Sequence, residues 1–170
     1  MSTLTVQVMT QIFPNLWIAP ADTAREADFL QENGITHVLN CAAEEPTRYP
    51  DPYLVTHKVD LLEEKGLDTL SKLLEASINL AIWLSEPMHR VVVHCKGGIS
   101  RSVPVVLSWL IVHREFNFDD AYNHVQSRRM FILLNPCYIP LLRALAGGEH
   151  VPARSHWQRL SYTLSPSPTP

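Results

Sequence analysis

The sequence predicts an α/β fold: a central, mainly parallel sheet of about four to five strands flanked by helices. Two observations carry this. Strand-like and helix-like stretches alternate through the first half of the chain, the pattern of parallel strands joined by crossover helices. The short apolar run Val91-Val92-Val93 then leads through a turn containing Gly97-Gly98 into a second apolar stretch of helical length that begins at Val103.

In chain order, strands are expected near Ile12 to Ala19, Thr36 to Asn40, Tyr53 to Val59 and Arg90 to His94, with helices near Asp22 to Asn33 and Thr69 to Leu84. Helices dominate afterwards, at Val103 to Arg114, Asp119 to Ser127 and Tyr138 to Ala146. Pro104 is compatible with the first turn of a helix, where its missing N–H costs nothing. Phe118-Asp119-Asp120-Ala121-Tyr122 reads as an N-capped helix opening.

The segment His94-Cys95-Lys96-Gly97-Gly98-Ile99-Ser100-Arg101-Ser102 sets a cysteine and an arginine at the junction of strand and helix, with five residues between them. The backbone N–H groups of such a turn converge on one spot, and the positive end of the helix dipole adds to them, so the turn is an anion cradle that needs no metal. Gly97 and Gly98 are expected to supply positive φ angles and close approach. The field that attracts an anion also favours a thiolate, which makes Cys95 a nucleophile at neutral pH. Arg101 offers a planar fork that matches two phosphate oxygens, a geometry lysine lacks.

The segment resembles the signature loop of cysteine-dependent protein tyrosine phosphatases, and its Ser100-Arg101-Ser102 ending resembles the dual-specificity branch. Pro14-Asn15-Leu16-Trp17-Ile18, then Gly34-Ile35-Thr36-His37-Val38-Leu39-Asn40, then the run from Ser127 to Leu145 with Asn135-Pro136 resemble that family in the same order, so the resemblance covers roughly residues 10 to 146. It is nearest the small atypical members.

The resemblance implies a protein-tyrosine-phosphatase-like fold and a protein phosphatase acting on phosphotyrosine and phosphoserine/phosphothreonine through a phosphocysteine on Cys95. No cofactor is implied. Lys96, Gly97, Gly98, Ile99, Ser100 and Arg101 would line the phosphate site. Ser102 would stabilise the departing thiolate, and His94 would fix the loop and tune the acidity of Cys95 without moving a proton.

The leaving oxygen needs a proton during bond cleavage. In the family an aspartate upstream of the cysteine supplies it, and Asp60, at the end of the expected strand Tyr53 to Val59, is the candidate. The stretch Leu61-Leu62-Glu63-Glu64-Lys65-Gly66-Leu67 is a few residues longer than the family's usual spacing, which leaves Asp68 as an alternative. Asp68 reads otherwise as the N-cap of the following helix. Glu63 and Glu64 rank behind both.

Lys96 at the mouth of the cradle favours polyanionic substrates and keeps a phosphoinositide or RNA 5′-phosphatase open as an alternative. Ile99, an apolar wall where phosphoinositide phosphatases of the superfamily generally add a second basic residue, fits a peptide or aryl substrate. A non-catalytic phosphoprotein-binding pseudophosphatase is the other alternative. Signalling kinases are among the phosphoprotein partners to expect.

In some members of the superfamily a cysteine placed like Cys41 forms a reversible disulfide with the nucleophile. Cys41 therefore reads either as a redox partner of Cys95 or as a small buried hydrophobe, while Cys137 has no evident role. Three cysteines without a secretory leader point to a reducing compartment, cytoplasmic or nuclear.

The chain has 170 residues, 46% hydrophobic and 18% charged, with a formal net charge of −3. That balance gives no support to nucleic-acid or anionic-membrane binding, and the apolar stretch Val103 to Val112 is about half the ~20 residues a membrane span requires. The eight histidines are scattered without metal-ligand spacing, so no metal is expected. Residues 1–148 are expected to form the catalytic domain. Residues 149–170, rich in proline and serine, are expected to form a flexible tail.

Overall fold

The computed structural model describes residues 9–147. The expected tail at 149–170 lies outside the described residues.

A five-stranded sheet is formed by β1 (Thr10–Phe13), β2 (Leu16–Pro20), β3 (His37–Asn40), β4 (Val55–Lys58) and β5 (Val91–Cys95) in the spatial order β1-β2-β5-β3-β4. β1 runs antiparallel to β2, and every other pairing is parallel. The strand β5, which ends in Cys95, is therefore central, with β2 on one side and β3 on the other.

Side-chain alternation in the strands divides the core between two faces. Leu16, Ile18, Leu39, Val91, Val93 and Cys95 join one hydrophobic cluster with the later helices. Trp17, Ala19, Val38 and Val92 point the other way and pack with Leu30 and Ile35.

The first cluster is covered by α2 (Leu67–Leu84), α3 (Ser102–Arg114), α4 (Phe118–Arg128) and α5 (Ile139–Leu145). α2 buries Thr69, Leu73, Ala76, Ser77 and Leu80, one stripe at helical spacing. α3 is packed by α2, α4 and α5, and it buries every residue from Ser102 to Ile111. Each of its large aliphatic side chains contributes roughly 1.5–3 kcal/mol by leaving water. The second cluster is covered by the short α1 (Ala27–Glu32).

Several expected elements are reshaped. The strand expected over Ile12 to Ala19 is a hairpin, because Pro14 has no N–H to continue a ladder. The Gln11 side chain closes the turn by donating to the Pro14 carbonyl at 3.0 Å. The helix expected over Asp22 to Asn33 is a 3-10 turn, Thr23–Arg25, followed by α1, with Glu26 extended between them (φ −77°, ψ 115°). Asp68 is not the N-cap of α2. Gly66 holds that position at φ 140°, and Asp68 sits in the first turn, where its carboxylate pairs with Lys72 at 2.9 Å. α4 is capped by Asn117, whose side chain accepts from the Asp120 N–H at 2.8 Å. The helix expected from Tyr138 begins as a 3-10 turn, Pro136–Tyr138, capped by Asn135, and continues as α5.

Of the two glycines in the cradle, only Gly98 requires its residue type for φ, at +65°. A Cβ there would lie 2.5 Å from the Ala19 carbonyl carbon and oxygen and 2.7 Å from the Pro20 nitrogen, so β2 and the loop touch backbone to backbone. A Cβ on Gly97 would meet only the Ile99 side chain, at 3.6 Å. Gly98→Ala is expected to destabilise the fold by about 2–4 kcal/mol in urea unfolding, from left-handed strain plus the clash. Gly97→Ala should stay within about 1 kcal/mol of the parent.

Candidate active site

Cys95 is the last residue of β5 and Ser102 the first of α3, so the intervening loop is held at both ends by buried elements. Its carbonyls are tied outward. The Lys96 carbonyl accepts from the Ala21 N–H at 2.9 Å and the Ile99 carbonyl from the Leu133 N–H at 2.8 Å. The Gly98 carbonyl accepts from Arg129 Nε at 2.7 Å. With the carbonyls engaged outside, the amides are left for the interior of the turn.

The sulfur of Cys95 is buried there. The Gly98 N–H donates to it at 3.2 Å, and the Ser102 hydroxyl lies 3.5 Å away. Burial pushes the thiol up, but the Ser102 hydroxyl and the backbone N–H groups of Ser102, Ser100 and Arg101 outweigh it and leave Cys95 below its ordinary value. Ser102 is fully buried beside the sulfur. Capping is not its job, since the N-cap position of α3 is Arg101.

His94 is fully buried, and its Nδ1 lies 3.1 Å from the Cys95 carbonyl. A carbonyl only accepts, so Nδ1 carries the proton and Nε2 accepts from the Tyr49 hydroxyl at 2.7 Å. Burial lowers His94 to about 4, and burial likewise raises Tyr49 to about 12, so both are neutral at physiological pH. His94 is thus held behind Cys95 by two hydrogen bonds, and Tyr49 is its unforeseen partner.

The side chains at the mouth of the loop are met by carboxylates. Both terminal nitrogens of Arg101 bond the carboxylate of Glu44, and the Ser100 hydroxyl bonds that of Glu63. The Arg101 hydrogen bonds hold Glu44 down at about 2. Asp60 lies two residues beyond β4, is 53% exposed and pairs with Lys58 Nζ at 3.6 Å. Glu63 reaches the loop from the same connection between β4 and α2. Glu64, Lys96 and Gly97 are exposed, and Ile99 is half-buried.

Cys41 follows β3, and its N–H donates to the His94 carbonyl at 2.8 Å, one residue past the pairing Asn40↔His94. That register puts Cys41 beside Cys95, and both are buried free thiols. Burial raises Cys41 well above its ordinary value. Cys137 is a third buried free thiol, at the 3-10 turn before α5.

Glu44, Tyr49 and Arg129 went unforeseen from sequence. Glu44 and Tyr49 lie in an irregular segment after β3, and Arg129 just past α4, where no periodicity marks them.

The model of the family described as dual specificity phosphatase, catalytic domain, matches residues 16–146. The chain belongs to this family. It is 31% identical over 162 residues to human Protein phosphatase Slingshot homolog 3, which covers 95% of this chain and 24% of that protein. It is 30% identical over 133 residues to mouse Dual specificity protein phosphatase 13B, covering 75% of this chain and 67% of that one. The chain therefore spans about a quarter of the Slingshot relative. Among solved structures, a mouse putative dual specificity phosphatase complexed with zinc tungstate superposes with a TM-score of 0.76 at 24% identity, over 87% of this chain and 92% of that chain. The dual specificity phosphatase fold thus brings Cys95, Arg101 and Ser102 into one loop. It leaves Asp60 exposed beside Lys58, in no recorded contact with the loop, and Asp68 on the exposed first turn of α2.

Alkylation of Cys95 by iodoacetamide should inflect below the ~8.5 of a free thiol, and Ser102→Ala should move the inflection upward. Stability should also fall in mild acid. Between about 6.5 and about 4 the unfolded chain binds a proton that folded His94 refuses, and the same holds for His124, which burial also lowers to about 4. Linkage then removes stability as pH drops through that window, on the order of 3 kcal/mol for His94 alone, and urea midpoints at about pH 7 and about pH 4.5 measure it.

Proposed function

We propose that this chain is a protein phosphatase that hydrolyses phosphotyrosine and phosphoserine/phosphothreonine through a phosphocysteine intermediate on Cys95. The observation that carries the reading is the acidified thiol itself: Cys95 Sγ, at the floor of an amide-lined turn, receives the Gly98 N–H at 3.2 Å and lies 3.5 Å from the Ser102 hydroxyl.

In the first step the Cys95 thiolate attacks phosphorus in line, forming an S–P bond while the P–O bond to the substrate side chain breaks. Arg101 and the loop amides hold the three non-bridging oxygens, and the departing oxygen takes a proton from Asp60. In the second step water attacks phosphorus and gives its proton to the Asp60 carboxylate. The S–P bond breaks, and the Ser102 hydroxyl stabilises the thiolate as inorganic phosphate leaves.

Asp60 reaches this role by leaving Lys58 when substrate binds. Glu63, already bonded to Ser100, is the carboxylate to test beside it. Lys96 and Ile99 flank the mouth as a cation and an apolar wall, which suits a peptide better than a highly charged lipid headgroup. Phosphorylated signalling kinases are one class of such substrates.

Cys41 is proposed as the resolving thiol when a peroxide oxidises Cys95 to the sulfenic acid. Condensation of the two would form a disulfide with loss of water and so protect the nucleophile from further oxidation.

Phosphate release from a phosphotyrosine and a phosphothreonine peptide, in reducing buffer, is expected for the wild type and absent for Cys95→Ser. Asp60→Ala should lower kcat by roughly 100-fold or more on alkyl or peptide esters and far less on aryl esters with good leaving groups. Glu63→Gln and Asp68→Ala should lack that leaving-group dependence. Release confined to phosphoinositides or RNA 5′ ends, or phosphopeptide binding without release, would replace this reading.

A further inference from the structure

The connection between β4 and α2 starts inside the protein and ends outside it. The Val59 N–H donates to the Asn40 carbonyl at 2.9 Å, which carries the β3–β4 ladder one residue further, and the Leu61 N–H donates to the Val59 carbonyl at 2.8 Å. Val59 and Leu61 are both buried in the first hydrophobic cluster, and the Asp60 side chain between them is half exposed. From Leu62 to Asp68 every residue is exposed. Apolar burial therefore anchors the connection on either side of Asp60 but not beyond Leu61.

At that point a side chain reaches the connection from beneath. Tyr138 closes the 3-10 turn Pro136–Tyr138 and is fully buried, and its hydroxyl donates to the Leu62 carbonyl at 2.9 Å. Burial pushes the phenol far above its ordinary value, so the hydroxyl keeps its proton, and a carbonyl only accepts. A phenylalanine would fill the same space with no polar group to satisfy. What the hydroxyl adds is a tie between the turn that opens α5 and the connection that carries Asp60, 76 positions from Leu62 to Tyr138 in sequence. At the surface, one residue further on, the Glu63 carboxylate meets the Ser100 hydroxyl.

We propose that Tyr138 is a positioning residue for proton transfer: its hydroxyl holds the Leu62 carbonyl, and with it the backbone from which Asp60 reaches the leaving oxygen. Leu62 is two residues past Asp60, at most about 7 Å of chain. With Leu61 packed in the core and Leu62 tied, Asp60 has only to turn its side chain from Lys58 toward the substrate. Without the tie the segment after Leu61 can lift away, and the carboxyl loses the hydrogen-bond reach that proton transfer requires. The hydroxyl acts on the connection and leaves the donors around the sulfur, the Gly98 N–H and the Ser102 hydroxyl, as they are. The catalytic consequence rests on the phosphatase reading with Asp60 as the acid, whereas the tie itself does not.

Tyr138→Phe is the test, because it removes one oxygen and keeps the ring. Brief trypsin digestion of the native protein, with fragments identified by mass, reads the tie without reference to activity. Cleavage after the exposed Lys65 is expected to quicken roughly fivefold, the scale of one hydrogen bond, while cleavage after the exposed Arg48 stays unchanged. In parallel, kcat should fall roughly 5–20-fold on a phosphopeptide and less than about twofold on an aryl ester with a good leaving group, with tungstate affinity and the alkylation inflection of Cys95 unmoved. On the Asp60→Ala background the effect of Tyr138→Phe on kcat should vanish. Urea midpoints serve as the folding control.

Unchanged cleavage after Lys65 would overturn the proposal. An equal loss of kcat on both esters, or a loss that persists on the Asp60→Ala background, would overturn it as well. If cleavage quickens while Asp60→Ala shows no leaving-group dependence, the tie stands and the choice of Asp60 as the acid fails. If cleavage quickens while the wild type releases no phosphate from any ester, the tie stands and the phosphatase reading fails.

Discussion

The anchoring of three outward carbonyls is the constraint on which the site depends. The carbonyls of Lys96, Gly98 and Ile99 are held by Ala21, Arg129 and Leu133, from the end of β2, the end of α4 and the segment before α5. A peptide unit whose oxygen is held outward presents its N–H inward, so three distant parts of the chain together orient the Gly97, Ile99 and Ser100 amides of the loop, and the Ser100 N–H is among those that lower the Cys95 thiol. The close contact of Gly98 with the Ala19–Pro20 backbone belongs to the same arrangement, for it lets the loop lie flat against β2.

Electrostatics builds on that geometry in two layers. Behind the loop, burial keeps His94 neutral, and its bond with Tyr49 fixes the ring without adding charge beside the sulfur. The acidity of Cys95 then comes from oriented dipoles and one hydroxyl rather than from an imidazolium. In front, Glu44 and Glu63 engage Arg101 and Ser100. The two contacts differ in kind. Glu44 is carried by a segment braced through Asn40, Lys58 and Arg25, whereas Glu63 rides on the connection between β4 and α2, which also carries Asp60. One carboxylate is part of the braced segment after β3, and the other lies on the exposed connection between β4 and α2.

Much of the chain was legible because local physics dominated there. The β5 to α3 passage could be read directly: an apolar strand, a glycine turn and an apolar helix are each specified by residues close together in sequence, and so are Cys95, Arg101 and Ser102 within them. Errors arose where a short-range rule was asked a longer-range question. Pro14 turned one expected strand into a hairpin, Gly66 displaced Asp68 from the cap of α2, and only one of two adjacent glycines had to adopt a positive φ.

Sequence alone determined the fold class and the loop that carries Cys95 and Arg101, because strand and helix periodicity, glycine placement and the spacing of Cys95 and Arg101 are properties of contiguous residues. Tertiary structure decided what surrounds them. Glu44 lies 57 positions before Arg101, Tyr49 lies 45 before His94, and Arg129 lies 31 after Gly98. Such partners are selected by how the sheet order β1-β2-β5-β3-β4 brings strand ends and loops together. No local pattern encodes that proximity, since the bonds that specify the site close only after distant segments have packed.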